Sequence, residues 1–145
     1  MNKRIYLLAF LLSAGLIFSS CKKDDDISKP TINILELGEG DSHGNDHTAI
    51  IGGDLHIDAD IIAEGTISTV QVIIHHEGDH KSGRDEEWEV DTTYTKFSGL
   101  KNALFHEHIE IDTTAEAGEY HFDMIVVDME GNQTSAEAEL LIKDE

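Results

Sequence analysis

Beyond Pro30 the chain alternates apolar and polar residues with a period of two. That period belongs to strands with one buried face. Thr31 to Leu37 sets Ile32, Ile34 and Glu36 against Asn33, Leu35 and Leu37. Leu55, Ile57, Ala59 and Ile61 alternate with His56, Asp58 and Asp60. Ile67 to His76 is dense in β-branched residues (Val70, Val72, Ile73, Ile74), which fit a pleated surface. Trp88, Val90 and Thr92 alternate through Trp88 to Tyr94. Phe105, Ile109 and Ile111 mark a fifth strand. Tyr120, Phe122, Met124 and Val126 mark a sixth, and Ala136, Ala138, Leu140 and Ile142 a seventh. Asp128-Met129-Glu130-Gly131-Asn132 is a turn cluster between the last two. No segment carries a convincing amphipathic helical pattern.

Seven short strands in residues 30–145 predict an all-β fold, an immunoglobulin-like antiparallel β-sandwich. Gly118-Glu119-Tyr120 and the Asp128 turn resemble the Ig-like modules of bacterial surface proteins, with Tyr120 placed as the tyrosine corner of that fold. A Cys…Trp…Cys signature is missing, so the domain is not of the antibody type. No internal repeat is visible.

Residues before Pro30 read as an address. Lys3 and Arg4 precede an apolar run from Ile5 to Phe18, broken only by Ser13 and Gly15. The run fits a signal-peptide core and is short for a bilayer-spanning helix, which needs about 20 residues. Ser19-Ser20-Cys21 resembles the cleavage motif of bacterial lipoproteins. The resemblance implies cleavage before Cys21 and its acylation, so that a lipid holds the protein to the membrane. An ordinary signal peptide or an uncleaved anchor remains the alternative. Lys22-Lys23-Asp24-Asp25-Asp26 is a charged tether and is similar to the signal that sends Bacteroidetes lipoproteins to the cell surface. The periplasmic leaflet of the outer membrane stays open as the alternative. The expected division is a signal peptide over 1–20, a lipidated tether over 21–29 and one domain over 30–145.

The mature chain resembles an uncharacterised family of small Bacteroidetes lipoproteins with a single Ig-like domain. The residues that carry this are the cleavage motif, Gly53-Asp54-Leu55, His75-His76, His106-Glu107-His108, Gly118-Glu119-Tyr120-His121-Phe122 and the Asp128 turn. The resemblance implies the fold and the location, not a function.

Charge narrows the partners. The 145 residues hold 30 Asp+Glu against 10 Lys+Arg, a net charge of −20. Loss of Lys3 and Arg4 with the leader makes it −22. So acidic a protein repels phosphate backbones, which excludes nucleic acid as a partner. The expected partners are the membrane, through the anchor, and an outer-membrane transporter or surface complex; the domain is expected to be monomeric. A lone Cys excludes an intrachain disulfide, Cys-rich zinc modules and iron–sulfur clusters. Histidine is the anomaly, with nine residues against ten Lys+Arg.

Antiparallel pairing of the second strand with the fifth, and of the third with the sixth, sorts the histidines into two sets. At one pole stand His75, His76 and His80 at the end of the third strand, and His121 at the start of the sixth. The first connection brings His43, Asp46 and His47 to the same end, with Glu77 as a further carboxylate. These are the first candidate metal ligands. The second candidate set is an outward face, where His56, Asp58 and Asp60 lie beside His106, His108 and Glu110. Opposed residues there are about 5 Å apart at Cβ. Imidazole and carboxylate donors favour zinc, with copper and nickel after it and calcium a poor match. Methionine is scarce, which argues against a Met-type copper site.

Other motifs lose their force in context. His76-Glu77-Gly78-Asp79-His80 spells the zinc-protease pattern, but it follows a strand and contains a glycine, whereas the motif works on a helix. Asp58-Ala59-Asp60 resembles an acidic pair of cadherin calcium sites, yet alternation on an exposed strand explains it equally well. No phosphate loop, nucleophile elbow or Ser/His/Asp arrangement appears, so no enzyme is expected. The leading expectation is a surface-anchored, non-catalytic domain that captures or delivers a divalent metal, with binding weakened below about pH 6.5 as imidazoles protonate. The alternative is a structural or adhesive module that binds protein or glycan, its histidines incidental. A pH sensor built from clustered histidines is compatible with either.

Overall fold

The computed structural model describes residues 27–40, 45–77 and 88–144. Cys21, the leader, most of the tether, His43 and His80 lie outside the described residues. Among the described residues eight strands form: β1 (Thr31–Glu39), β2 (Thr48–Ile50), β3 (Asp54–Ile62), β4 (Ile67–His76), β5 (Val90–Tyr94), β6 (Asn102–Glu110), β7 (Gly118–Asp128) and β8 (Gln133–Lys143). They make a three-stranded sheet, β1-β3-β6, and a five-stranded sheet, β2-β8-β7-β4-β5. Every pairing is antiparallel except β2 with β8. Among the described residues no helix is long and apolar enough to cross a membrane.

The two pairings expected of the sandwich, β3 with β6 and β4 with β7, are both present. Alternation works as the pattern requires. Leu55, Ile57, Ala59 and Ile61 of β3, with Phe105 of β6, turn inward and meet Val70, Val72 and Ile74 of β4, Phe122, Met124 and Val126 of β7, and Leu140 and Ile142 of β8. All are at most 1% exposed. Burying a side chain of this size contributes about 1.5–3 kcal/mol. Tyr94 of β5 sets its ring edge-on to Phe105, 5.0 Å between centroids, closing the sandwich at one side.

Local chemistry fixes the chain reversals. The Tyr120 hydroxyl donates to the Glu116 carbonyl at 2.9 Å, as a tyrosine corner does. Asp128 Oδ1 accepts from the backbone N–H of Glu130 at 3.0 Å and of Asn132 at 2.7 Å, and Oδ2 accepts from the Asn132 amide at 2.9 Å. Gly131 takes φ +86° there, a conformation glycine adopts without a Cβ penalty. Burial pushes the Asp128 carboxyl upward, but hydrogen bonds from Asn132, Glu130 and Gly131 together hold it below its ordinary value.

Three expectations need correction. A short eighth strand, β2, docks parallel to β8 through three residues. The fourth expected strand begins at Val90, and Trp88 precedes it, packing edge-on against Tyr120 at 5.6 Å. The β1 pattern is interrupted: its register with β3 shifts between Ile34 and Glu36, so Leu35 is an extra residue, a β-bulge. Glu36 therefore does not share a face with Ile32 and Ile34. It opposes Asp58 on the outer side, while Leu37 drops into the core.

Candidate metal centre

The outer face of the three-stranded sheet gathers histidines through register. His56 of β3 opposes His108 of β6, and Asp58 opposes His106. On the other side of β3, Glu36 opposes Asp58, and Gly38, which has no side chain, opposes His56. Opposed strand residues are close enough for their side chains to interact. The result is a layered cluster on the central strand. His56 is only 1% exposed although it points away from the core; the half-exposed His106 and His108 roof it.

Nε2 of His56 lies 3.2 Å from Nδ1 of His106 and 3.7 Å from Asp58 Oδ2. On its other edge, Nδ1 of His56 lies 3.2 Å from Glu36 Oε2. Nδ1 of His106 is 2.6 Å from Asp58 Oδ1, and Nδ1 of His108 is 2.5 Å from Asp54 Oδ2. The His56 and His108 rings stack, 4.7 Å apart at 23°, and His106 stands edge-on to both, 4.9 Å and 5.2 Å away. One nitrogen from each of the three imidazoles lies within 4.8 Å of the other two. Glu36, His56 and Asp58 make an overlapping group within the same distance. A zinc ion with ~2.0–2.1 Å bonds holds its tetrahedral ligands about 3.4 Å apart. The cluster is therefore near the spacing such an ion needs, with nitrogen and carboxylate donors of the type zinc accepts. Of the remaining residues expected on this face, Asp60 opposes Leu104 and Glu110 opposes Asp54. Neither belongs to a group of three metal-ligating side chains among the described residues.

The pole is organised differently. His75 and His121 oppose one another across β4 and β7, ring centroids 5.5 Å apart. His76, one residue on, belongs to the opposite face by strand alternation and sets its ring against Tyr120 at 4.9 Å. Nδ1 of His47 lies 3.1 Å from the Glu139 carbonyl and its Nε2 3.1 Å from Asn45 Oδ1. Asp46 accepts from the Thr48 backbone and hydroxyl at 3.2 and 2.8 Å; these bonds hold its carboxyl below the ordinary range and engage it in a local turn. Thus the structure does not gather His47, His75, His76 and His121 into one group. It instead surrounds His121 with acids. Nδ1 is 3.8 Å from Glu77 and 3.6 Å from Glu139, and Nε2 is 3.5 Å from Asp123. Among the described residues the metal-sized groups here, His121 with Glu77 and Glu139 and His121 with Asp123 and Glu137, each contain a single imidazole.

Glu36, Asp54, Asp123, Glu137 and Glu139 were not among the expected site residues. Asp54 stands two residues before His56, and Asp123 two after His121, so strand period alone could have added both. Glu137 and Glu139 likewise occupy the polar positions of the seventh strand pattern. Glu36 had no such signal, because its orientation depends on the bulge.

The chain belongs to the family described as Domain of unknown function (DUF4625), whose model matches residues 19–143. No curated protein matches the sequence. Several solved structures are similar to this chain. The GspB Siglec domain is 15% identical with a TM-score of 0.51, covering 83% of this chain and 60% of its own. Wild-type OgpA from Akkermansia muciniphila is 11% identical with a TM-score of 0.50, covering 77% of this chain and 28% of its own. The superoxide reductase (neelaredoxin) of Ignicoccus hospitalis is 9% identical with a TM-score of 0.45, over 81% and 82% of the two chains. This chain thus spans less than two thirds of the first two. Those two likenesses concern the fold alone and agree with an immunoglobulin-like β-sandwich.

Proposed function

We propose that this protein is a lipid-anchored, non-catalytic Ig-like module that binds a divalent transition metal, zinc favoured, on the outer face of the β1-β3-β6 sheet. His56, His106 and His108 are the nitrogen ligands and Asp58 the adjoining carboxylate. The observation that carries the reading is the convergence of three imidazole nitrogens within 4.8 Å around a histidine that is 1% exposed. A solvated surface has no reason to bury an imidazole on its outer side. Two of the three rings remain half-exposed, so a bound ion would be open to exchange, which suits capture or delivery. The net charge of −20 raises the local concentration of cations. Membrane attachment at Cys21 and display on the outer-membrane surface are supported by Lys3, Arg4, the apolar Ile5–Phe18 run, Ser19-Ser20-Cys21 and the charged tether. Delivery to an outer-membrane transporter belongs to the same proposal.

Isothermal titration of the protein with Zn²⁺ at neutral pH tests the central claim. We expect one site with a dissociation constant of about a micromolar or tighter, a binding free energy of about −8 kcal/mol. Binding no tighter than about millimolar would reject it. Labelling with a radioactive fatty acid, lost in Cys21→Ala, tests the anchor separately.

A further inference from the structure

We infer that Glu36 and Asp54 are positioning residues of this site: each holds the Nδ1 edge of one stacked imidazole, so that His56 and His108 both offer Nε2 to the ion. The inference rests on the metal-binding reading above, but it also makes a claim about the metal-free protein.

Glu36 Oε2 and His56 Nδ1 are 3.2 Å apart, and both atoms are shut off from solvent. A carboxylate oxygen and an unprotonated ring nitrogen both present lone pairs. Facing each other at that distance they repel unless a proton lies between them, and we take it as Nδ1–H donating to the Glu36 carboxylate. The neutral ring of His56 therefore carries its proton on Nδ1 and its lone pair on Nε2. Nε2 is the atom that faces His106 Nδ1 and Asp58. His108 repeats the arrangement, with Nδ1 2.5 Å from Asp54 Oδ2. A carboxylate behind a ligating histidine fixes its tautomer and ring orientation and makes the nitrogen a better ligand.

The backbone makes room for both acids. Glu36 reaches the outer face only because Leu35 is inserted as a bulge. Asp54 lies where a larger residue at position 40 would intrude: a Cβ on Gly40 would stand 2.5 Å from Asp54 Oδ2 and 3.2 Å from its Cγ. Each acid is placed at the Nδ1 edge of an imidazole that belongs to the cluster.

The experiment is long-range nitrogen–proton NMR of the imidazoles in the metal-free, ¹⁵N-labelled protein, run beside zinc titration. In the wild type, His56 and His108 should both be Nδ1–H tautomers. Glu36→Leu should convert His56 to the Nε2–H form, or a mixture, and weaken zinc binding about 10–100-fold. Glu36→Gln, which keeps an acceptor oxygen, should restore most of both. Asp54→Ala, at a half-exposed position that leaves the core untouched, should do to His108 what Glu36→Leu does to His56. An unchanged tautomer in Glu36→Leu and in Asp54→Ala would overturn the inference, and so would unchanged affinity in both variants where the wild type does bind zinc. Should the wild type bind no zinc while the tautomers still follow the variants, the positioning claim stands and the metal reading above fails; the two are separable.

Discussion

Two faces of one sandwich carry histidines among acids, and among the described residues they differ in how many imidazoles meet. On the three-stranded sheet the central strand and its neighbour place outward histidines at opposed and diagonal positions, and three rings converge. On the five-stranded sheet His75 and His121 oppose one another, but His76 is sent to the other side and His47 is engaged at the β8 edge. His121 is then left among Glu77, Asp123, Glu137 and Glu139. Register decides the difference. Consecutive histidines on a strand diverge, whereas histidines at alternate positions of paired strands meet.

The largest expected effect falls on the buried ring. His56→Ala should weaken zinc binding at least about a hundredfold, a loss of about 2.7 kcal/mol, as read by competition with a chromophoric chelator. Loss of comparable size in His121→Ala, with His56→Ala unchanged, would reverse the ranking of the two faces. Acid should act next. Protons compete for imidazole nitrogens, so affinity should fall about tenfold or more between pH 7.5 and pH 5.5. A pH-independent affinity would instead indicate a carboxylate site such as the one around His121.

Carboxylates used for structure give a contrasting response. Asp128 has its carboxyl lowered from 3.8 in the folded protein, where burial alone would raise it, by the hydrogen bonds of its turn. A lowered folded value means the stabilisation is present above about pH 4 and is lost as pH falls through the folded value. Asp128→Asn should lower the thermal midpoint at pH 7 and flatten its dependence on pH below about 4, without changing zinc affinity. A change in zinc affinity there would mean that the metal reading and the fold are not separable. The smallest effect belongs to the pole: His121→Ala should change zinc affinity less than about threefold, under about 0.7 kcal/mol.

Much of this was legible in the chain. Alternation located β3, β6, β7 and β8, because each has enough inward apolar residues to reveal the period, and β-branched density located β4. The outward row of His56 with His106 and His108 also followed from alternation plus one assumed pairing. Two features were hidden. β2 is three residues long and is defined by backbone pairing with β8, which leaves no side-chain pattern to read. The bulge in β1 was masked because Leu35 and Leu37 are both apolar, so the pattern cannot say which one is extra. That ambiguity concealed Glu36, the acid behind the buried imidazole. The pole was expected to gather His75, His76, His121 and His47, but adjacent strand positions send His75 and His76 to opposite faces, and His47 bonds locally at the β8 edge.

X-ray absorption of the protein loaded with one equivalent of Zn²⁺ is the most direct test of the central claim. We predict a shell of nitrogen and oxygen donors with the multiple-scattering signature of at least two imidazoles, no sulfur, and loss of that signature in His56→Ala but not in His121→Ala. An oxygen-dominated shell, or an imidazole signature that survives His56→Ala and disappears in His121→Ala, would contradict the account.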